Sequence, residues 1–316
     1  DGGKQGGNAS VTLGLSATSI ATKITWTKSG FSTQPIDCSL IVPPSVVDRY
    51  AGPAVVLASP TRVAVQIAAM SGTWDSVSAG QFLPATISTK ITTDAIDLSA
   101  APGLTHGGRL QGFSASATLS TRADGSIGGV DAQLGLKLMQ MPTATNPGRD
   151  AATIAATVRL SDVASAVFQS TFDVAISQGD TLATMIDAGE GSAALVGPGT
   201  VKGSFNRELT KDAFTADISL PRLALKSSGT LTPGKVAADG KGAPTAAQID
   251  IAKTTASFDV PAEIVEQALG LRTGVDWRTL VAQTGGRSII GSIDIESCRW
   301  TGRAEDASVV MNVVVE

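Results

Sequence analysis

His106 is the single histidine of the chain, so a Ser-His-Asp site could be built only on it. It lies in Leu104-Thr105-His106-Gly107-Gly108-Arg109, a loop-like stretch that predicts a solvated side chain. No Gly-x-Ser-x-Gly elbow accompanies it. Gly189-Glu190-Gly191 and Gly197-Pro198-Gly199 lack the Lys-Ser/Thr that a phosphate loop needs, and read as turns. Two acid pairs, Asp94 with Asp97 and Asp294 with Glu296, fall on strand-like segments. Carboxylates sharing a strand face could divide acid and base roles, yet the same spacing describes a solvated outer face, which is the expectation here. Cys38 and Cys298 are the only cysteines. A bridge would need their Cα atoms within about 7 Å, and two separate, reduced thiols packed as small apolar residues are expected instead. Trp26, Trp74, Trp277 and Trp300 are spread along the sequence and predict packing in cores or at sheet ends, without a clustered stacking platform. The chain is therefore expected not to be an enzyme, with no cofactor and no metal.

Composition narrows the classes further. Charged residues are 16% and aromatics 4%, against 42% hydrophobic residues. That excludes a disordered polyelectrolyte. A net charge of −4 with pI near 5.1 gives no electrostatic case for nucleic acid. No apolar run approaches the ~18 residues of a membrane helix, so no transmembrane segment is expected.

The periodicity that must position any site is two. Val130, Ala132, Leu134, Leu136 and Leu138 form one stripe; Ala152, Ile154, Ala156, Val158 and Leu160 form another. Phe168, Ser170, Phe172, Val174 and Ile176 form a third; Phe214, Ala216, Ile218 and Leu220 form a fourth. Shorter stripes are Ile20 to Trp26 and Val63 to Ile67. Each reads as a strand with one wet and one buried face. Strands are expected to take about half the chain, well above the usual ~20–25%. Ala123-Asp124-Gly125-Ser126 signals a hairpin. Asn206 to Asp212 and Asn146-Pro147-Gly148-Arg149 separate further strands. Helices are expected at Pro43–Gly52, at Pro261–Gly270 and more weakly at Trp277–Gln283, with a helical turn near Asp180–Ala188. The Gly-rich residues 1–8 read as a flexible linker, and 9–316 as a single elongated β-rich domain. Val309 to Val315, β-branched and without Gly or Pro, reads as a buried strand.

Two helical segments share a pattern. Val42-Pro43-Pro44-Ser45-Val46-Val47-Asp48 aligns with Val260-Pro261-Ala262-Glu263-Ile264-Val265-Glu266, and Gly52 with Gly270. Within each copy, about 36–74 and 254–300, a strand (Ile36–Val42, Ala256–Val260) precedes the helix, and an Arg, a β-rich stretch and a Trp follow it (Arg62 to Trp74, Arg287 to Trp300). Pro ends the strand and opens the helix, whose apolar residues would plug one end of a sheet.

These alternating Ala/Ser/Thr/Gly-rich strands, the Val-Pro-x-x-Ile-Val-Glu helix starts and the phrase Asp124-Gly125-Ser126-Ile127-Gly128-Gly129-Val130-Asp131 resemble the AsmA-like envelope proteins. The resemblance implies a long, curved antiparallel sheet, a groove or a partly closed barrel or sandwich, with two or three short helices capping its ends. It also implies the periplasm or cell envelope of Gram-negative-type bacteria, usually behind an N-terminal membrane anchor. The role it implies is lipid transport or outer-membrane assembly, with envelope proteins as further partners. No catalytic residues carry over. A lipid or other apolar ligand would lie on an apolar groove made by Val130, Leu134, Leu136, Leu138, Ile154, Val158, Phe168, Phe172, Val174, Ile176, Phe214 and Ile218. The alternative is a structural or adhesive extracellular β-rich protein, a surface, coat or filament subunit, since low charge and many Ser and Thr fit that as well.

Overall fold

The computed structural model describes residues 6–15, 18–51, 56–74, 86–100, 107–122, 126–141, 148–163, 167–185, 197–208, 211–232, 248–261, 288–300 and 308–315. Strands make up 76% of these and helices 7%, so the protein is mainly β. Where the sequence reading has one domain, the contacts divide the chain into two compact units: Asp1–Gly148 with Ile154–Phe168, and Arg149–Thr153 with Gln169–Glu316.

Unit 1 contains β1 (Gly7–Leu15), β2 (Thr18–Trp26), β3 (Gly30–Thr33), β4 (Ile36–Val42), α1 (Pro44–Ala51), β5 (Val56–Leu57), β6 (Thr61–Ile67), β7 (Ser71–Thr73), β8 (Thr86–Thr93), β9 (Ile96–Ala100), β10 (Gly108–Thr121) and β11 (Ile127–Met139). Its pairings are antiparallel and mostly between neighbours in a meander: β1 on β2, β2 on β3 and β4, these on β7 and β6, then β8, β10 and β11. β9 lies between β10 and β5. β12 (Asp150–Asp162) and β13 (Val167–Ile176) each give residues to both units. Unit 2 adds α2 (Gly179–Met185), β14 (Gly199–Arg207), β15 (Asp212–Leu220), β16 (Leu223–Thr232), β17 (Gln248–Ile251), β18 (Thr254–Pro261), β19 (Ser288–Trp300) and β20 (Ser308–Val315). There the antiparallel order is β14, β15, β16, then β17 and β18 end to end, β19 and β20.

The stripes expected from period two all lie within these strands. The hairpin expected at 123–126 joins β10 to β11, and Arg122 N donates to Ser126 O at 2.8 Å where it closes. Register shifts break the alternation, two of them inside long strands. In β10 the register shifts between Gln111 and Ser114, where Gly112 takes φ 63°, a left-handed value open to glycine. In β19 it shifts between Ile295 and Ser297.

α1 starts with Pro44 at a first-turn position that needs no N–H, and carries Arg49 in its last turn. It packs against β5, whose Leu57 is buried. α2 realises the turn expected near Asp180, and its Thr181, Ala183 and Met185 are buried, as are Ala151, Ala152 and Ile176. Ser177 N donates to Ala151 O at 2.9 Å, which ties the entry of α2 to β12. The helices expected at 261–270 and 277–283 lie outside the described residues, apart from Pro261, which closes β18. β4 runs into Pro43 and pairs antiparallel with β6, and β18 runs into Pro261 and pairs antiparallel with β19.

Two expectations are corrected. Val309–Val315 is not buried throughout: in β20, which pairs with β19, Val310 and Val314 are each 53% exposed. Its composition suits any pleated surface, covered or not. Gly7 and Asn8, placed in the N-terminal linker, open β1, because Gly7 lies beneath the Trp26 ring.

Candidate apolar binding face

Alternation sends every second side chain to one face, and antiparallel register lines these residues up across a sheet. In unit 1 the register runs Ile20, Cys38, Val65, Ile91, Ala115, Leu134 through β2, β4, β6, β8, β10 and β11. All six are half-buried. Parallel rows join Leu40, Val63 and Thr93, and Ile87, Leu119 and Val130. The other face is polar. Asp37, Gln66 and Lys90 are register partners, all exposed, and Gln66 Nε2 donates to Asp37 Oδ1 at 2.9 Å. Arg159 Nη2 donates to Asp131 Oδ2 at 2.8 Å. That bond sets Arg159 on the polar face, so Ile154, Ala156 and Val158 point to the apolar one. Among the described residues, the elements of unit 1 in closest contact are sheet neighbours, with α1 against β5.

Unit 2 repeats the arrangement. Val201, Ile218, Leu225, Ala256 and Ile293 form a half-buried row across β14, β15, β16, β18 and β19. Its polar face carries an alternating ladder. Lys202 Nζ sits 2.8 Å from Asp173 Oδ2, Lys202 is the register partner of Asp217, and Lys226 Nζ is 3.7 Å from Asp217 Oδ2. The Asp173 carboxylate, hydrogen-bonded to it, holds the Lys202 ammonium above its usual range. Arg299 donates to Asp250 at 2.7 Å and Gln248 donates at 2.6 Å, and in that order they hold Asp250 below the usual carboxylate range. Such a ladder favours one register, because a one-residue slip would turn these charged side chains to the apolar face. One charged pair stands on the apolar face among the described strand residues. Arg207 donates from Nε and Nη2 to the two oxygens of Asp212 at 3.1 and 3.0 Å, with its guanidinium 5.8 Å from the Phe205 ring centroid. Asp212 is 1% exposed, a burial that a carboxylate tolerates only when fully paired.

Rings on these faces lie over glycines of the neighbouring strand. Phe214 covers Gly229, Phe258 covers Gly291 and Phe31 covers Gly72, each its own register partner, and Phe172 covers Gly203. A Cβ at Gly229 would stand 2.6 Å from Phe214 Cζ, and one at Gly291 2.7 Å from Phe258 Cζ. The glycines let the rings lie down along the sheet, shielding its hydrogen bonds and keeping the face low in relief. Gly7, Trp26, Phe31 and Gly72 form one cross-strand row, and Trp74 lies 5.7 Å from Phe31, centroid to centroid. Trp26 and Trp74 thus flank Phe31 at one corner of unit 1. No spacing in the sequence signals this, since it depends on β3 pairing with both β2 and β7.

Of the expected groove residues, Val130, Leu134, Leu136, Ile154 and Phe168 are half-buried in unit 1 and Leu138 is buried. In unit 2 Val174, Phe214 and Ile218 are half-buried and Ile176 is buried. Val158 and Phe172 are exposed, at 42% and 45%. The acid pairs come to nothing as sites. Asp94 is exposed beyond the end of β8. Asp97 is engaged by Arg109 Nε at 2.6 Å, which holds its carboxyl below the usual range. Glu296 falls in the β19 bulge, out of step with Asp294, and both are exposed. Both cysteines are free thiols, each half-buried. His106 lies outside the described residues. No group of acids, cysteines or histidine among the described residues could hold a metal. Two depressions among the described residues have linings more apolar than polar. One of about 680 Å³ is lined by residues including Phe214, Thr215, Ile251, Cys298 and Arg299, and one of about 320 Å³ by residues including Asp37, Cys38, Val65 and Lys90. No helix among the described residues is long and apolar enough to cross a membrane. Comparison with protein-family models, curated proteins and solved structures finds no match to this chain.

Proposed function

We propose that the protein is a non-enzymatic component of the bacterial cell envelope that binds acyl chains along its apolar sheet faces, in lipid transport or outer-membrane assembly. The observation that carries the reading is the uniform half-burial of the registered rows, Ile20 to Leu134 in unit 1 and Val201 to Ile293 in unit 2. Rows of Ile, Val and Leu left half-wet keep a cost that an acyl chain would remove, at roughly 0.8 kcal/mol per methylene taken out of water. A face without polar geometry selects for hydrocarbon and not for a particular head group. Flat rings over glycine leave room for an extended chain. The resemblance to AsmA-like proteins supports the same assignment and supplies its periplasmic setting.

Native mass spectrometry of protein purified without detergent tests it. Bound phospholipid or fatty acid is expected, and Leu136→Asp and Ile218→Asp variants that retain the β spectrum should carry less. A folded wild type that neither holds lipid nor takes up a fluorescent fatty acid overturns the reading. A structural or self-assembling role is the second reading. It is favoured by β20, an uncharged, Val-rich strand whose Val310 and Val314 are exposed.

A further inference from the structure

The aromatic corner of unit 1 is built as a surface. Trp26 leans over Gly7 and Phe31 over Gly72, so a Cβ at Gly7 would lie 2.6 Å from Trp26 Cζ2 and one at Gly72 2.8 Å from Phe31 Cε1. The row crosses four adjacent strands, about 14 Å at the usual strand spacing. Trp74 extends it, and its indole N–H is turned inward, donating to Thr27 O at 2.9 Å. What Trp74 presents outward is therefore ring carbon. Trp26 and Trp74 remain 36% and 40% exposed. Trp26 shares its face with Ile24 and Ile20, so the corner is continuous with the apolar rows of unit 1. Its charge is opposite to that of the chain as a whole. Residues 6–9, 23–34 and 70–75 contain Lys23, Lys28 and one acid, Asp75, a net +1 where the chain carries −4. Lys28 stands exposed in the turn between β2 and β3.

We infer that this corner seats on an anionic lipid bilayer, with the Trp26, Phe31 and Trp74 rings in the interfacial layer and Lys28 among the head groups. Indole and phenyl rings favour that layer, where an apolar body and a polar surround are both satisfied. Lysines beside it add attraction to anionic lipid that salt weakens. The partner is a membrane surface, beyond the acyl-chain binding proposed above, and the inference would stand if the rows carried no ligand.

Flotation of the full chain with phosphatidylcholine vesicles, with and without phosphatidylglycerol, tests this. The wild type should float with the anionic vesicles and less with the neutral ones. Trp26→Ser with Trp74→Ser should reduce the bound fraction about tenfold, in line with the interfacial preference of indole. Lys28→Glu should reduce binding to anionic vesicles alone. Should the Ser variant misfold, a Trp277→Phe, Trp300→Phe protein keeps only the two corner tryptophans, and acyl-chain-brominated lipid should quench their emission. Absence of flotation, absence of quenching, or a folded Ser variant that floats like wild type each overturns the inference. So does binding of soluble polysaccharide in place of vesicles with the same loss in the Ser variant, which would assign the corner to carbohydrate. Fluorescent fatty-acid uptake by the same variants reports separately on the apolar rows.

Discussion

Gly135 and Gly229 look alike in the sequence, each a glycine inside an alternating strand, and the structure gives them opposite meanings. A Cβ at Gly135 would meet nothing within 4 Å. One at Gly229 would meet Phe214 Cζ at 2.6 Å and the Asp250 carbonyl oxygen at 2.7 Å, and the second of these is backbone that cannot swing aside. Gly229→Ala should therefore cost about 1–3 kcal/mol through overpacking. Gly135→Ala should be neutral or stabilise by about 0.4–1 kcal/mol, because it restricts the unfolded chain without strain. Urea melts of the two variants check this, and equal effects would refute it. What was legible at this scale was polarity. Alternation put Phe214 and Ile218 on one face correctly, but the partner beneath each ring is fixed by register, which no single strand encodes.

Strands were the most legible elements, because β-branched alternation over eight to fourteen residues has few other readings. β4 falls on Ile36–Val42 as the sequence reading has it. The bulges were not legible. In β19 the odd-numbered Ile293 and Ile295 share the apolar face with the even-numbered Cys298 and Trp300, because Glu296 is the extra residue between them. Strict period two would place Glu296 on the face of Asp294 and so suggest a pair that does not form. The exposure of Val310 and Val314 was hidden because β20 has the composition of a buried strand. These two exposed valines make β20 a candidate contact for self-association. Val310→Lys with Val314→Lys should leave stability within about 0.5 kcal/mol and abolish any concentration-dependent association seen by light scattering. Association that survives both lysines would place the contact elsewhere.

Across the whole molecule, low charge hides how many of the charges act in pairs. The carboxyls of Asp97 and Asp250 are both held below the usual range, the first by Arg109, the second by Arg299 and then Gln248. A depressed native value means that the folded chain binds fewer protons than the unfolded one. The stability these groups contribute is complete above the unfolded carboxylate value of about 4 and is lost as pH falls through the native values. Tm should therefore drop below that pH. Asp97→Asn should be weaker by on the order of 1 kcal/mol at neutral pH and should converge with wild type in strong acid, whereas a gap independent of pH would refute the assignment. The rings lying on glycines carry a consequence for descent. Each pair ties two positions far apart in the chain, Phe31 to Gly72 or Phe258 to Gly291, into one heritable unit. A lineage that shrinks the ring frees the opposite position to grow, while growth first meets the ring. Substitutions in related chains should thus arrive in a fixed order, small for large at the aromatic before large for small at the glycine.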